Sequence, residues 1–361
     1  MNKYIWKIKH FRLNYDIGVK IILLALFSAL FFLLYVNMTT LSMLYHNFSA
    51  LYNDDLQFYS FYVGQGESSL VIADGVSFLY DTGTEEYADN LCAELEVILD
   101  ANNLDDIDYL ILSHPHIDHT GGAEKILKRF NVRNIFRPTV VSPFEENDEN
   151  YPLSSDIDYI SLIKTIFEED ANVLFIKPQE IKIGDTLLKF WTPQKEKYSD
   201  ENLYSPIVTI SALGKTIMLT GDSTSEVDEE FLSALGDEEL YVDILKVQHH
   251  GSRTASSVAL LSEIHPFLAV ISAGVDNSYN FPAQEVINRL NDVGAYEIFV
   301  TKDNGTIGLS LLSSSYEKAD GFIFHDNALL ITLYFVFFFM IAAIKFPHKL
   351  KYNVNYKNIL R

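Results

Sequence analysis

The segment Ser113-His114-Pro115-His116-Ile117-Asp118-His119-Thr120-Gly121-Gly122 gathers three imidazoles and one carboxylate within six residues, His114 to His119. It follows Tyr109 to Ser113, which reads as a buried strand, and precedes Ala123 to Phe130, which reads as a helix. A strand-to-helix loop of this kind can turn His114 and His116 toward one cation and Asp118 and His119 toward a second. Gly121 and Gly122 allow the tight backbone that must come before the helix. Nitrogen and oxygen donors suit zinc, with manganese or iron as alternatives. Single histidines are common on solvated loops, whereas this density of donors has few structural reasons, so the segment demands a rigid scaffold on both sides.

The rest of the chain supplies one. Residues 56 to 63, 69 to 73 and Val76 to Tyr80 read as an antiparallel meander, with Asp74-Gly75 as a tight turn. Glu85 to Asn102 repeats apolar residues at three-to-four spacing and reads as a surface helix. Ile157 to Phe167 reads as another helix and Val173 to Ile176 as a strand; Ile181 to Trp191 and Ile207 to Thr220 read as strand pairs around Gly184-Asp185 and Leu213-Gly214. Strands at Ile244 to Val247, Leu268 to Ser272 and Ile298 to Thr301 alternate with helices near Ala255 to Glu263 and Ala283 to Val293. Two mixed sheets flanked by helices account for this order. Val141 to Asp156 is polar and turn-rich and reads as a surface loop. The single cysteine, Cys92, excludes an internal disulfide and falls at helical spacing with Leu91, Leu95 and Ile98, as buried filler does.

Two apolar blocks bracket this region. Residues 17–36 have the length of a transmembrane helix, with Lys20 close enough to the end to snorkel, and residues 328–344 lie at the short edge of spanning length. No small-x-small cleavage pattern follows the first block, so an uncleaved anchor is expected. Basic residues precede the first block (Lys3, Lys7, Lys9, Arg12) and follow the second (Lys345, Lys349, Lys351, Lys357, Arg361). Segments 1–16 and 345–361 are therefore expected in the cytoplasm, and residues 45–327 outside it, anchored to the cell membrane by two spans. That middle region has 17 basic against 48 acidic residues, a formal charge of −31. Such a field disfavours the phosphate-neutralising mode of nucleic-acid binding.

Three further motifs flank the histidine segment in order: Asp81-Thr82-Gly83, Leu219-Thr220-Gly221-Asp222-Ser223 and Lys246-Val247-Gln248-His249-His250-Gly251-Ser252. Together they resemble the motifs of the metallo-β-lactamase superfamily, over roughly Leu56 to Leu312. With Val63-Gly64-Gln65-Gly66-Glu67-Ser68, they are similar in particular to the hydrolase domain of ComEC-type DNA-uptake proteins, and also to secreted phosphorylcholine esterases. The resemblance implies an α/β fold, the αββα four-layer sandwich, here with flanking transmembrane helices. It implies two Zn2+ ions. His114, His116 and Asp222 would hold the first, and Asp118, His119 and one of His249 and His250 the second, with Asp222 bridging and Asp81 supporting the site through hydrogen bonds. Which late histidine is the ligand stays open. Many superfamily members have a further histidine between the HxHxDH segment and Asp222; Asn202 and Ser205 lie there instead and, with Arg253 and Lys302, are candidates for substrate contact. Where ComEC-like domains have Gly-His-Pro-His, this chain has Asn280-Phe281-Pro282-Ala283. With room for two spans, the chain is not expected to form by itself the many-span channel region of those proteins.

The resemblance further implies a metal-bridging hydroxide as nucleophile, with Asp118, His249 and His250 as the catalytic candidates and the unligated late histidine protonating the leaving oxygen. The leading expectation is a phosphodiesterase acting on a phosphoester, such as a cell-envelope polymer or lipid-linked substrate. Alternatives are an extracellular nuclease linked to DNA uptake, β-lactam or thioester hydrolysis, and a non-catalytic membrane-tethered binding or sensor protein. The oligomeric state is not legible.

Overall fold

The structure, a computed structural model, describes residues 56–311 except 146–150, 155, 170, 196 and 237, and the backbone of a final strand, Tyr316–Ala319. Both apolar blocks and both basic ends lie outside the described residues. Among the described residues, no helix is long and apolar enough to cross a membrane.

The first sheet begins with β1 (Leu56–Ser60), β2 (Ser69–Ala73) and β3 (Val76–Tyr80), the antiparallel meander expected from the sequence, and continues in parallel through β4 (Ile107–Ile111), β5 (Val132–Arg137) and β6 (Asn172–Phe175). The second repeats this plan: β7 (Gln179–Ile183), β8 (Thr186–Trp191), β9 (Ile207–Ala212) and β10 (Lys215–Leu219) are antiparallel, whereas β11 (Ile244–Lys246), β12 (Leu268–Ile271) and β13 (Glu297–Val300) run parallel to β10. The chain then returns to the first sheet as β14 (Ile307–Leu311), beside β1, and β15 (Tyr316–Ala319).

Period-two alternation sorts the side chains between layers. Phe78 and Tyr80 of β3 meet Ile217 and Leu219 of β10 in the core between the sheets, with Phe136, Phe190 and Phe299. Leu79 points the other way, into a layer formed by α1 (Ala88–Ala101), α2 (Ile117–Thr120), α3 (Ala123–Arg129) and α4 (Ile157–Glu168); among its members are Leu91, Leu95, Ile126 and Leu162. Met218 likewise faces a third cluster with Phe231 of α5 (Ser225–Leu235), Leu260 and Leu261 of α6 (Val258–Ile264), and Val286 and Leu290 of α7 (Gln284–Asp292). Helix, sheet, sheet and helix therefore stack in four layers, as expected. Cys92 is buried in the first helix layer.

Several boundaries differ from the sequence reading for identifiable reasons. β4 ends at Ile111 rather than Ser113, because the Ser113 amide leaves the ladder to donate to the Asp81 carboxylate at 2.7 Å. β5 escaped notice because Arg133 and Asn134 interrupt its apolar pattern; Arg133 is held by Asp106 and Asp108. α5 is acidic and buries only Val227, Asp228 and Phe231. α6 starts at Val258 rather than Ala255, since the Ser257 hydroxyl caps it by accepting from the Leu260 amide.

Glu94 of α1 makes a pH-dependent contribution to stability. Burial pushes its pKa up to about 7, with the Thr306 hydroxyl offsetting only part of the effect. The folded chain therefore favours the protonated acid. Its contribution is fully present below the unfolded-state pKa, about 4.3, and is lost as pH rises through about 7. Glu94→Gln should raise the melting temperature by roughly 2–6 °C near pH 8.5 and leave it unchanged near pH 4, read by thermal scanning at both pH values.

Candidate metal centre

Four loops meet at the carboxyl ends of β3, β4, β10 and β11, the parallel-strand ends where α/β folds place ligands. The loop after β3 carries Asp81, that after β4 carries His114 to His119, that after β10 carries Asp222, and that after β11 carries His249 and His250. They interlock through backbone: Thr82 N donates to His119 O at 2.7 Å, Gly83 N to Glu67 O at 2.7 Å, and Glu67 N to Asp118 O at 3.0 Å. The contact is close enough that a Cβ on Gly66 would lie 2.4 Å from the Asp118 carbonyl oxygen.

Asp81 is wholly buried and accepts three hydrogen bonds. Ser113 N donates to Oδ1 at 2.7 Å, Ser113 Oγ donates to Oδ2 at 2.6 Å, and His119 Nδ1 donates to Oδ2 at 2.7 Å. With the Nδ1 proton of His119 committed, its Nε2 lone pair points inward. Ser113 has spent its hydroxyl proton on Asp81, so it accepts from His114 Nδ1 at 2.9 Å and fixes that ring in the same sense. His250 Nδ1 donates to the Ser272 carbonyl at 3.0 Å. Three imidazoles are thus oriented with Nε2 toward a common centre.

Around that centre His119 Nε2 lies 3.2 Å from His250 Nε2 and 3.2 Å from Asp222 Oδ1. His250 Nε2 lies 3.4 Å from Asp118 Oδ2 and 3.5 Å from Asp222 Oδ1. His114 Nε2 and Asp222 Oδ1 are buried without a hydrogen-bond partner. Three groupings place one donor atom of each residue within 4.8 Å of the others: His114, His119 and Asp222; Asp118, His119 and His250; and Glu67, Asp222 and His250. Inward lone pairs and carboxylate oxygens at these spacings repel one another unless a cation lies among them, so the donor set fits divalent metal. The charges agree. Burial opposes a charge on His119, but Asp222, Asp81 and Asp118 outweigh it and drive its pKa well above the ordinary imidazole value. Burial, reinforced by His119, pushes His114 well below that value.

The two late histidines separate clearly. Both have left-handed backbone, φ 46° at His249 and 52° at His250, which turns the adjacent rings apart. His250 joins the ligand groupings. His249 stays at the rim, its side chain 22% exposed, with Nε2 3.5 Å from Asp222 Oδ2. His116 packs edge-on against His114 at 4.7 Å, but its Nε2 faces Glu201 at 3.9 Å and the ring is outside all three groupings.

The residues expected to contact substrate are placed as follows. Ser205 is buried; its hydroxyl lies 3.3 Å from His114 Nδ1 and accepts from the Asp222 amide at 3.2 Å, so it braces ligands. Asn202 is also buried, with Oδ1 unpartnered. Lys302 Nζ donates to the Phe281 carbonyl at 2.9 Å. Arg253 is exposed, and its carbonyl accepts from Arg289. Sequence reasoning assigned no role to Glu67, whose Oε2 binds Lys246 Nζ at 2.8 Å with both side chains fully buried while Oε1 has no partner. Its place in the Gly-Gln-Gly-Glu stretch was the available signal.

Replacing the hub carboxylate tests this geometry. Asp81→Asn sets an amide donor against donors from Ser113 and His119, and should weaken divalent-metal binding about 10- to 100-fold in competition with a chromophoric chelator. Wild-type affinity in the folded variant would show that Asp81 does not control the ligands.

Residues 61–274 match the family model described as the metallo-beta-lactamase superfamily. Among curated proteins, the chain is 29% identical over 232 residues to Recombination protein 2 of Haemophilus influenzae, covering 63% of this chain and 26% of that protein. It is 30% identical over 266 residues to ComE operon protein 3 of Bacillus subtilis, covering 68% and 32%. Competence protein ComA of Neisseria gonorrhoeae is 29% identical over 231 residues, covering 64% and 29%. The chain therefore spans about a quarter to a third of the length of these relatives. A solved structure, the metallo-beta-lactamase fold protein YhfI from Bacillus subtilis, aligns with a TM-score of 0.46 at 14% identity, over 70% of this chain and 100% of that one. By its matching region and its ordered motifs, this chain belongs to the metallo-β-lactamase superfamily.

Proposed function

We propose that this chain is a membrane-anchored phosphodiesterase that holds two zinc ions and acts outside the cytoplasm. The observation that carries the reading is the convergence of His114, His119 and His250 Nε2 on Asp118 and Asp222, with Nδ1 of each ring engaged elsewhere. His114 and Asp222 would hold one ion, and Asp118, His119 and His250 the other, with Asp222 between them. Divalent ions held there supply an acidified water and positive charge for oxygens that become anionic during hydrolysis. His249 would move a proton, a role supported by its position beside the cluster, its unpartnered Nδ1 and its partial opening to solvent. Asp81, Ser113 and Ser205 hold the rings and Asp222 in position. Anchoring and orientation rest on the two apolar blocks and the basic residues outside them.

A second reading, a nuclease linked to DNA uptake, is favoured by relatives named as competence and recombination proteins. Against extended backbone binding stands the formal charge of −31 over residues 45–327. Both readings share one bond type, so the first test is the chemistry itself. The full chain should carry about two zinc ions and hydrolyse bis-p-nitrophenyl phosphate but not nitrocefin, with turnover abolished in Asp118→Ala and Asp222→Ala. Absence of metal would sink the enzyme reading, and nitrocefin turnover alone would replace phosphodiester with β-lactam. The two late histidines should behave differently. His250→Ala should lose metal, whereas His249→Ala should keep it and lower kcat by about 100-fold or more, with the basic limb of the pH profile altered.

A further inference from the structure

A row of rings runs from His250 in the ligand cluster through Phe281 to Tyr279, the last two on the loop between β12 and α7, and ends in solvent. Phe281 lies nearly parallel to His250, with centroids 6.4 Å apart and planes at 20°. Tyr279 stacks on Phe281 at 5.3 Å and 13°. His249 meets the same Phe281 ring edge-on at 5.9 Å. His250 is buried and Phe281 half-buried, but Tyr279 is 65% exposed.

The row is braced. Asn277 Oδ1 accepts from Phe281 N at 2.8 Å, and Asn277 Nδ2 donates to Phe281 O at 3.0 Å and to Gly274 O at 2.9 Å. Lys302 donates to Phe281 O at 2.9 Å, Gly274 N to Gln65 Oε1 at 3.0 Å, and Ala283 N to Gly251 O at 2.9 Å. Bonds from Gln65, Gly251 and Lys302 thus fix the loop from three separate segments before any ligand arrives, which lowers the cost of ordering it.

An aromatic cage for a quaternary ammonium needs faces converging on the cation. Here the faces are stacked on one another, so the group that extends the row is another planar ring. With 17 basic against 48 acidic residues over 45–327, backbone charge contributes no attraction, so a ligand held on this row depends on ring stacking, which is indifferent to that field. Building on the phosphodiesterase reading, we infer that Tyr279, backed by Phe281, is a base-stacking subsite that takes the nucleobase of a nucleotide-type phosphodiester whose phosphate enters the ligand cluster.

Calorimetric titration of the zinc-loaded full chain with thymidine 5′-monophosphate and with 2-deoxyribose 5-phosphate reads the subsite without turnover. The nucleotide should bind about fivefold or more tightly than the sugar phosphate. Tyr279→Ala should remove that difference and Tyr279→Trp should retain it. Equal affinities in the wild type, a preference that survives in Tyr279→Ala, or binding of neither phosphate would overturn the inference. Hydrolysis of bis-p-nitrophenyl phosphate, measured in parallel, separates the two readings. Turnover without base preference removes the subsite alone. Base preference without turnover keeps the subsite and removes the phosphodiesterase reading.

Discussion

One buried carboxylate decides what the centre can be. Asp81 takes up the Ser113 amide, the Ser113 hydroxyl and His119 Nδ1, and through the spent hydroxyl proton of Ser113 it also settles His114. An anion with no solvent contact survives only when donors surround it, and here those donors are the parts that aim the rings. The bond that stabilises Asp81 and the bond that orients His119 are the same bond. The backbone follows from this: Asp81 has φ 55°, so the chain leaves β3 through a left-handed residue to direct its side chain at β4's loop.

The sheets supply the rigidity this arrangement needs. In each, the antiparallel half ends where the parallel half begins, at β3–β4 and at β10–β11, and the ligand loops leave from those strands. Alternate residues of β3 and β10 face the shared core, so the strand ends are fixed by packing on both faces. A displacement of either sheet would carry His114 and His119 away from Asp222 and His250 together. Precision at the centre is therefore a property of the core between the sheets as much as of the loops.

The sequence was most informative where function is written locally. His114 to His119 lie on a single loop, and their donors can be read from spacing. Asp81 and Asp222 gained meaning from their order relative to that loop. The choice between His249 and His250 was not legible, because it depends on two successive left-handed residues and on the Ser272 carbonyl, which belongs to a different strand end. Spacing placed His116 with His114, and the two rings do pack edge-on at 4.7 Å, with His116 Nε2 facing Glu201 at 3.9 Å. Glu67 and Lys246 are 179 residues apart, and nothing local to either announces a buried pair. β5 was hidden by Arg133 and Asn134, which bond to Asp108 of the adjacent β4 rather than continue the apolar pattern.

The charge balance separates what the protein neutralises itself from what it leaves open. Four carboxylates surround the cluster: Glu67, Asp81, Asp118 and Asp222. Only Glu67 has a resident cation, since Lys246 is fully buried against it. An ion pair in such a place is costly to assemble and more costly to break, so its value here lies in holding one carboxylate oxygen of a residue grouped with Asp222 and His250, while Oε1 has no partner. The other three carboxylates have only imidazoles as ion-pair partners, and those imidazoles present lone pairs toward the centre once Asp81, Ser113 and the Ser272 carbonyl have taken their Nδ1 protons. Each hydrogen bond that orients a ring thus removes a proton from the centre and deepens its negative potential. The second coordination layer and the demand for cations are one design: the tighter the protein holds the outer nitrogens, the less able the inner ones are to coexist without metal.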